Sequence, residues 1–433
     1  MTMRPSLAIV GTGIAALAAA HRLQHSHEIT LFEKNDYVGG HSHTIFVEED
    51  GRSVAFDTGF MVFNYQTYPL LTQLFDELNV PVKRTDMSFG VAIEPDGLAY
   101  CGSSFNQIFA QRRNLVRPTF WRMLRDISRF NDEAYSLLLE GRLGKLTLGD
   151  FVVQQGYGPE FLNDYLIPMS SSVWSTPPAK MMAFPAATLV RFFHNHGFLG
   201  MNTQHQWYTV KGGSREYVQR LIAPFANRIR LQAPVRRITR SVDGVMVAFT
   251  ESSGEAGRMR FDQVLIAAHS DEALRMLGDP APQEVEALKS IAYQPNTAYI
   301  HSDPSVMPKT RRAWASWNYR IDRSGPDIAA VVHYWMNSLQ GVSKKRDYFV
   351  SLVPEGTPPP KLDDRLVHKV IAYSHPLFSH QAVDAQTAVK TLPERLPHLQ
   401  TFFAGAYLGY GFHEDGIRAG LQAAQAIERQ WSL

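Results

Sequence analysis

Gly11-Thr12-Gly13-Ile14-Ala15-Ala16 is the stretch whose reading decides the fold. The apolar run Leu7-Ala8-Ile9-Val10 before it reads as a buried parallel strand, and Ile14 to Leu23 is Ala-rich enough to be the helix that follows. Between them Gly11 permits the tight turn, Gly13 lets backbone approach a phosphate, and Ala16 packs helix on sheet where a third glycine is also common. A helix starting at Ile14 and Ala15 points free amides and a positive dipole end at a pyrophosphate. A second strand, Glu28 to Phe32, closes the βαβ unit and delivers Glu33 twenty residues after Gly13. At that separation an acid takes a ribose hydroxyl pair.

A Gly-rich turn alone is common and needs only relief of backbone strain to explain it. That explanation leaves Glu33 without a purpose. Strand, turn, helix, strand and acid in register describe a dinucleotide site, and the acid favours an unphosphorylated ribose, hence FAD or NAD over NADP.

The 433 residues, 45% hydrophobic and 19% charged, are those of a globular protein with a substantial core and no long disordered tail. A formal net charge of +2 gives no drive toward nucleic acid. Cys101 is the only cysteine, which excludes an intramolecular disulfide and a Cys-based metal site and suits the cell interior. Residues 1–6 are too short for a signal peptide, and the most apolar stretch is broken by Arg191, His194 and His196, so no spanning helix is expected. A cytoplasmic protein, with peripheral contact at the inner face of a membrane as an option, fits these features.

After Glu33-Lys34 come Val38-Gly39-Gly40-His41-Ser42-His43-Thr44, a hairpin of Thr44 to Glu48 and Ser53 to Asp57, and Asp57-Thr58-Gly59-Phe60-Met61-Val62-Phe63. An acid-Lys pair, a Gly-Gly loop and a D-x-G segment in this order resemble the FAD-dependent oxidoreductases of the amine oxidase, protoporphyrinogen oxidase and phytoene desaturase group. The resemblance implies that Lys34, Gly39, Gly40, His41, Thr44, Gly59, Phe60, Met61 and Val62 border FAD. Relatives carry Arg where His41 stands, and His donates fewer hydrogen bonds and is charged only part of the time. His41 and His43 share a short loop, but no carboxylate or thiol pattern accompanies them, and no metal is expected.

From Tyr65 to Gln206 the βαβ signals stop. Thr67 to Leu78 and Phe120 to Leu139 have helical spacing, with Pro118 and Thr119 a start for the second. Six arginines between Arg112 and Arg129 alternate with Leu115, Phe120, Trp121, Met123, Leu124 and Ile127. They read equally as a lipid-headgroup surface or as a solvated face paired to Asp126, Asp132 and Glu133. Phe161 to Gly200 is rich in Met, Phe and Trp, suiting either core or a tunnel for an apolar substrate.

The nucleotide unit then resumes with a helix from Arg215 to Phe225 and strands Gly244 to Glu251 and Arg258 to Ile266, read as one hairpin. In relatives the residue matching Val235 meets the adenine side. A second excursion holds Tyr293, Tyr299, Trp314, Trp317, Tyr319, Tyr334 and Trp335. The chain therefore reads as mixed α/β. Residues 1–65, 206–282 and 386–433 form a discontinuous Rossmann-like FAD domain, and 66–205 and 283–385 form an interleaved substrate domain of helices over an antiparallel sheet.

Phe402-Phe403-Ala404-Gly405-Ala406 runs into the Gly-rich stretch Gly409 to Gly420, and a helix from Gly416 to Gln430 begins with acids, as capping predicts. By resemblance Gly405, Ala406, Phe412, Glu414, Asp415, Gly416 and Ile417 lie at the flavin, with the helix dipole favouring negative charge on its pyrimidine ring. Relatives place an acid at the position of Ala406. Amine oxidases have a Lys where Tyr293 to Tyr299 has none, and the covalent Cys anchor is missing near Tyr410, so FAD is expected to be non-covalent. These absences move the reading toward carbon–carbon desaturation or isomerisation.

The arrangement also resembles a bacterial subgroup associated with cyclopropane and methylated fatty acid enzymes. It implies dehydrogenation or isomerisation of an unsaturated or methyl-branched fatty acyl chain, free or on a phospholipid. An amine or amino acid oxidase is the first alternative. A non-catalytic flavin- or lipid-binding partner of a lipid methyltransferase is the second. His194, His196, His333 and Glu414 are the candidate bases, and Trp174, Tyr208, Trp335 and Tyr410 the candidate aromatic walls.

Overall fold

The computed structural model describes residues 4–200, 204–325 and 328–431. Its centre is strand β1, Ser6–Val10, whose Leu7, Ala8 and Ile9 are fully buried. It lies parallel to β2, Glu28–Phe32, on one side and to Gln263–Ile266 on the other, in a five-stranded sheet edged by Ile229–Arg230 and Thr401–Phe403. Helix α1, Ile14–Leu23, crosses from β1 to β2. The strand order reverses at β1, so the crevice beyond its carboxyl end is the ligand position for such a sheet.

The C-terminal helix His413–Trp431 packs on α1 through small residues. A Cβ on Gly416 would come within 2.7 Å of the Ile14 side chain, and one on Gly420 would run into the Ala15 carbonyl. Two helix N-termini are thereby brought together at the sheet's carboxyl edge.

One expected strand is two. Ala256–Phe261 pairs antiparallel with Gly244–Thr250, and after Asp262 the chain enters the parallel sheet as Gln263–Ile266. Asp262 makes the change of sheet by accepting at 2.7 Å from both the backbone and the hydroxyl of Ser6. The C-terminal helix also starts three residues earlier than expected, at His413.

Seven strands form a second sheet, in the order Val367–Pro376, Tyr293–His301, Phe349–Pro354, Ala329–Trp335, Trp317–Asp322, Phe89–Glu94 and Leu98–Cys101. It is antiparallel except where Trp317–Asp322 runs parallel to Phe89–Glu94. One face carries Val91, Tyr100, Trp317, Tyr319, Val332 and Leu352 into a core that also holds Met61, Phe109 and Phe120. Helix Pro118–Leu139, begun by Pro118 at its first turn, divides its buried residues between that core and a third one around Phe151, Phe161 and Phe193.

Candidate active site

The first turn of α1 has neither a side-chain cap nor an acid, so its leading amides have no partner of their own. Gly11, at φ +98°, could not carry a side chain, since a Cβ would come 2.7 Å from the Ala267 carbonyl. Gly13 differs: the space where its Cβ would stand is empty to 4 Å. Gly40 closes over it, with its Cβ position 3.1 Å from Gly13 Cα. This bare cradle of backbone fits a pyrophosphate.

Glu33 is buried below the cradle, and both its oxygens are in use. Oε2 accepts from the Thr12 amide (3.1 Å) and hydroxyl (2.5 Å), and Oε1 accepts from the Asn35 amide and side chain, both at 2.9 Å. A ribose diol held by Glu33 would compete with the Thr12 hydroxyl and the Asn35 side-chain amide, two residues that sequence reasoning did not single out. The backbone of Gln232 and Ala233 donates to Asn35 and Glu33 (2.9 and 2.8 Å), which lays Val235 alongside this end of the crevice. Lys34 points outward and pairs with Glu272 at 2.7 Å. The crevice can hold FAD without a covalent link, and its residues fit that cofactor.

The loop 39–44 and the segment 57–63 are laced together. His41 carbonyl accepts from Phe60 N (2.8 Å), His43 carbonyl accepts from Thr58 N (3.0 Å), and a Cβ on Gly59 would collide with His41 backbone. Asp57 is the hub: its buried carboxylate accepts from Thr44 Oγ1 (2.6 Å), Ser214 N and Oγ (2.8 and 2.7 Å) and Gln340 Nε2 (2.8 Å). Thr44, expected at the cofactor, instead spends its hydroxyl on Asp57 and on Arg215 N, tying the hairpin to helix Arg215–Ile222. The threonine is a brace.

His41 is turned into a cluster of rings, stacked on Tyr373 at 4.8 Å and near His375 and His269 at 5.5 and 6.4 Å. Burial first, then its histidine neighbours, hold it well below the usual imidazole range, so it is neutral. Its Nε2 is buried without a hydrogen-bond partner, a free polar atom at the edge of the cradle. The Arg of relatives is thus replaced by a neutral group.

His413, unremarked in the sequence, opens the C-terminal helix. Its ring lies flat on Phe60, centroids 3.8 Å apart and 11° between planes, and its Nε2 is 2.7 Å from Tyr217 Oη and 3.1 Å from Ser42 Oγ. Burial lowers it to about 3, so it too stays neutral. The signal that could have revealed it is its place between Phe412 and the acids of the terminal helix.

Those acids brace the fold. Glu414 accepts from the Leu70 and Leu71 amides (3.1 and 3.0 Å), capping helix Pro69–Glu77, and from Arg418 at 3.0 Å, so both its oxygens are engaged in holding the fold. Asp415 accepts from Phe412 N at 3.0 Å and occupies the space over Gly409. Gly405 is kept bare by the ring of Tyr407, Ala406 begins a single turn after it, and Ile417 is core.

The other candidate bases separate by periodicity. On helix Ala186–Asn195 His194 faces outward, stacked on Tyr135. His333 lies on the opposite face of the seven-stranded sheet from Val332 and Tyr334, bonded to Ser351 at 2.6 Å. Trp335 shares that far face, with its indole on Asp347, and is no wall of the site. His196 is buried among Phe192, Trp207 and Phe412, its Nδ1 on the Phe192 carbonyl at 3.0 Å, and burial lowers it to about 4. Trp174 and Tyr410 meet directly, indole to carbonyl at 3.2 Å, and Tyr208 packs on Phe63 and Tyr65.

Beside Tyr410, behind the loop from Leu408 to Asp415, opens a cavity of about 340 Å³. Arg191, Lys390 and Arg418 supply its charge and Phe378 and Leu408 its apolar wall. Asp415, raised by burial to about 6, is the one acid among the described residues that line it.

The family model described as flavin containing amine oxidoreductase matches residues 14–428. An L-amino-acid oxidase of Siganus canaliculatus is 25% identical over 317 residues, 67% of this chain and 55% of that protein. A carotenoid phi-ring synthase of Streptomyces griseus is 25% identical over 346 residues, 74% of this chain and 62% of its own length. The chain thus spans little more than half the length of these curated relatives. Among solved structures, a double mutant of putrescine oxidase superposes with a TM-score of 0.66 at 17% identity over 99% of both chains, a likeness of fold.

Proposed function

The chain belongs to the flavin containing amine oxidoreductase family, and from that premise we propose that it is an FAD-dependent oxidoreductase which dehydrogenates or isomerises an unsaturated or methyl-branched fatty acyl chain. FAD, when bound, supplies a hydride acceptor. Gly11, Gly13 and Gly40 would hold its pyrophosphate, Glu33 its ribose, and Phe60, Met61 and His413 would border its ring.

The observation that carries the acyl reading is the surroundings of Met61 and Val62. Met61 belongs to, and Val62 packs against, an apolar core that includes Val91, Tyr100, Phe120, Trp317 and Val332, while the Met61 carbonyl accepts from Thr209 and Gln340. The buried carboxylates nearest to that core are committed elsewhere: Asp57 as above, Glu49 to Ser343 and Tyr348, and Asp126 to Gly158 N and Arg125. Among the described residues an ammonium group finds no free acid there, whereas a chain of methylenes finds its own kind. Strand Tyr293–His301 carries Asn296, bonded to His375 at 2.9 Å, and no lysine. The cationic cavity beside Tyr410 likewise suits a carboxylate or phosphate head better than an amine. That one relative acts in carotenoid ring synthesis supports an apolar, unsaturated substrate.

In this reading His196 receives the proton, since it is the one candidate base buried among the aromatic rings beside Phe412, with Nε2 left as acceptor. His196→Asn then lowers turnover at least tenfold while flavin content stays at the wild-type level, and equal turnover would remove it from the scheme.

An amino acid or amine oxidase is the second reading, favoured by the fish oxidase. Anaerobic mixing distinguishes them. Bleaching of the flavin by unsaturated acyl lipids supports the first reading, bleaching by amines or amino acids the second, and bleaching by neither leaves a non-catalytic lipid-binding partner.

A further inference from the structure

From Gly97 to Arg125 the chain has five arginines and no acidic residue, although the whole protein carries a net charge of only +2. In the same stretch large apolar side chains stand in solvent: Val116 is 83% exposed and Phe105 67%, with Leu115 and Trp121 close to half. They are not scattered. Trp121 packs on Phe109 with centroids 5.3 Å apart, Phe105 packs on the same ring at 4.7 Å, and the Trp121 indole N–H is held by the Leu115 carbonyl at 2.9 Å. An anchored indole with its ring outward is the amphipathic group that sits at a membrane interface.

The arginines divide into two sets. Arg122, Arg125 and Arg129 lie along the helix and meet Glu160, Asp126 and Glu133. Arg112, Arg113 and Arg117, which surround the apolar residues, form no ion pair among the described residues. They donate instead to the Phe109 and Gly97 carbonyls and the Thr119 hydroxyl. Three positive charges outside any ion pair, of which, among the described residues, only Arg117 acts on an acid, Asp164, surround four exposed apolar side chains and complement a sheet of anionic headgroups over acyl chains.

We propose that the face formed by Phe105, Leu115, Val116 and Trp121, ringed by Arg112, Arg113 and Arg117, docks the protein on an anionic lipid bilayer. No helix among the described residues is long and apolar enough to cross a membrane, so the contact is peripheral. Beneath it, Phe109 and Phe120 belong to the same apolar core as Met61, which sets the docking face at the outer end of the surroundings proposed for an acyl chain. The docking does not require that substrate.

Sedimentation of the flavin-loaded protein with phosphatidylglycerol vesicles tests it, with phosphatidylcholine vesicles in parallel. The protein is expected to pellet with the first and not the second, and to be released at about 1 M salt, where the screening length is about 3 Å. Arg112→Gln, Arg113→Gln and Arg117→Gln together should weaken partitioning about a hundredfold, at roughly fivefold per arginine. Val116→Asp, at a position too exposed to disturb the core, should weaken it about tenfold with unchanged flavin absorption. No sedimentation with phosphatidylglycerol, or equal sedimentation of wild type and Val116→Asp, would overturn the proposal. So would a wild-type dimer in gel filtration that Val116→Asp converts to monomer without any vesicle binding, which would give the face to a second copy of the chain. Each readout is independent of turnover, so failure here leaves the acyl reading to its own test.

Discussion

Gly11 and Gly13 look equivalent in the sequence and are not equivalent in the fold. Gly11 needs φ +98° and has a carbonyl where a side chain would go, whereas Gly13 has ordinary extended backbone and open space above it. Gly11→Ala is expected to destabilise the protein by about 1–3 kcal/mol, through strain and collision together. Gly13→Ala should leave the thermal stability of the flavin-free protein unchanged and abolish retention of FAD, because its methyl group fills only the cradle. Thermal scans of both apoproteins, with flavin content by absorption, check this. A Gly13→Ala protein that keeps its flavin would show that the cradle holds something else. At this scale the glycine turn, the start of α1 and the buried acid at Glu33 were legible, since their geometry is local. The bracing roles of Thr44 and Glu414 were not legible, because their partners Asp57, Arg215, Leu70 and Leu71 are supplied by tertiary packing.

Elements were legible wherever one period ran without interruption. Helix α1 and β2 have the bounds their residues suggest. The strand read from Arg258 to Ile266 was misread because its pattern continues through Asp262, where the chain changes sheets. His333 and Trp335 were misread for want of knowing which face of a two-sided strand looks toward the flavin. Docking between elements has its own test in Arg240. It lies on strand Val235–Ser241 and meets Glu284 of helix Pro282–Lys289 at 2.8 Å, both side chains almost fully buried. Glu284→Ala leaves a buried guanidinium with Asp279 alone and should cost about 3–5 kcal/mol in urea unfolding. A loss below about 1 kcal/mol would show that the pair is solvated.

Across the molecule, residues hundreds of positions apart assemble the ring cluster of His41, His269, Tyr373 and His375, which no local pattern announces. The burial of histidines there and elsewhere has a consequence for pH. His43, His196, His301 and His375 are lowered to about 4 and His413 to about 3, each chiefly by burial. Unfolded histidines take up protons near pH 6.5, the folded ones only well below, so stability is full above that value and is lost as pH falls toward 4. Asp415, raised to about 6, and Glu414, also raised by burial, act in the opposite sense, contributing stability that is lost as pH rises through their folded values. The histidines outnumber them, so the unfolding temperature should fall continuously from pH 7 to pH 4, with flavin released along the way. A flat profile across that window would mean that these histidines are open to water.

A flavin whose substrate side is hydrocarbon acts on acyl chains, and the mass of the lipid tests this most directly. Phospholipid with unsaturated or methyl-branched acyl chains, incubated with the FAD-loaded protein and an electron acceptor, should be recovered with one acyl chain two hydrogens lighter, or with equal mass and a displaced double bond. Acyl chains recovered unaltered, while amines or amino acids are oxidised by the same preparation, would contradict it.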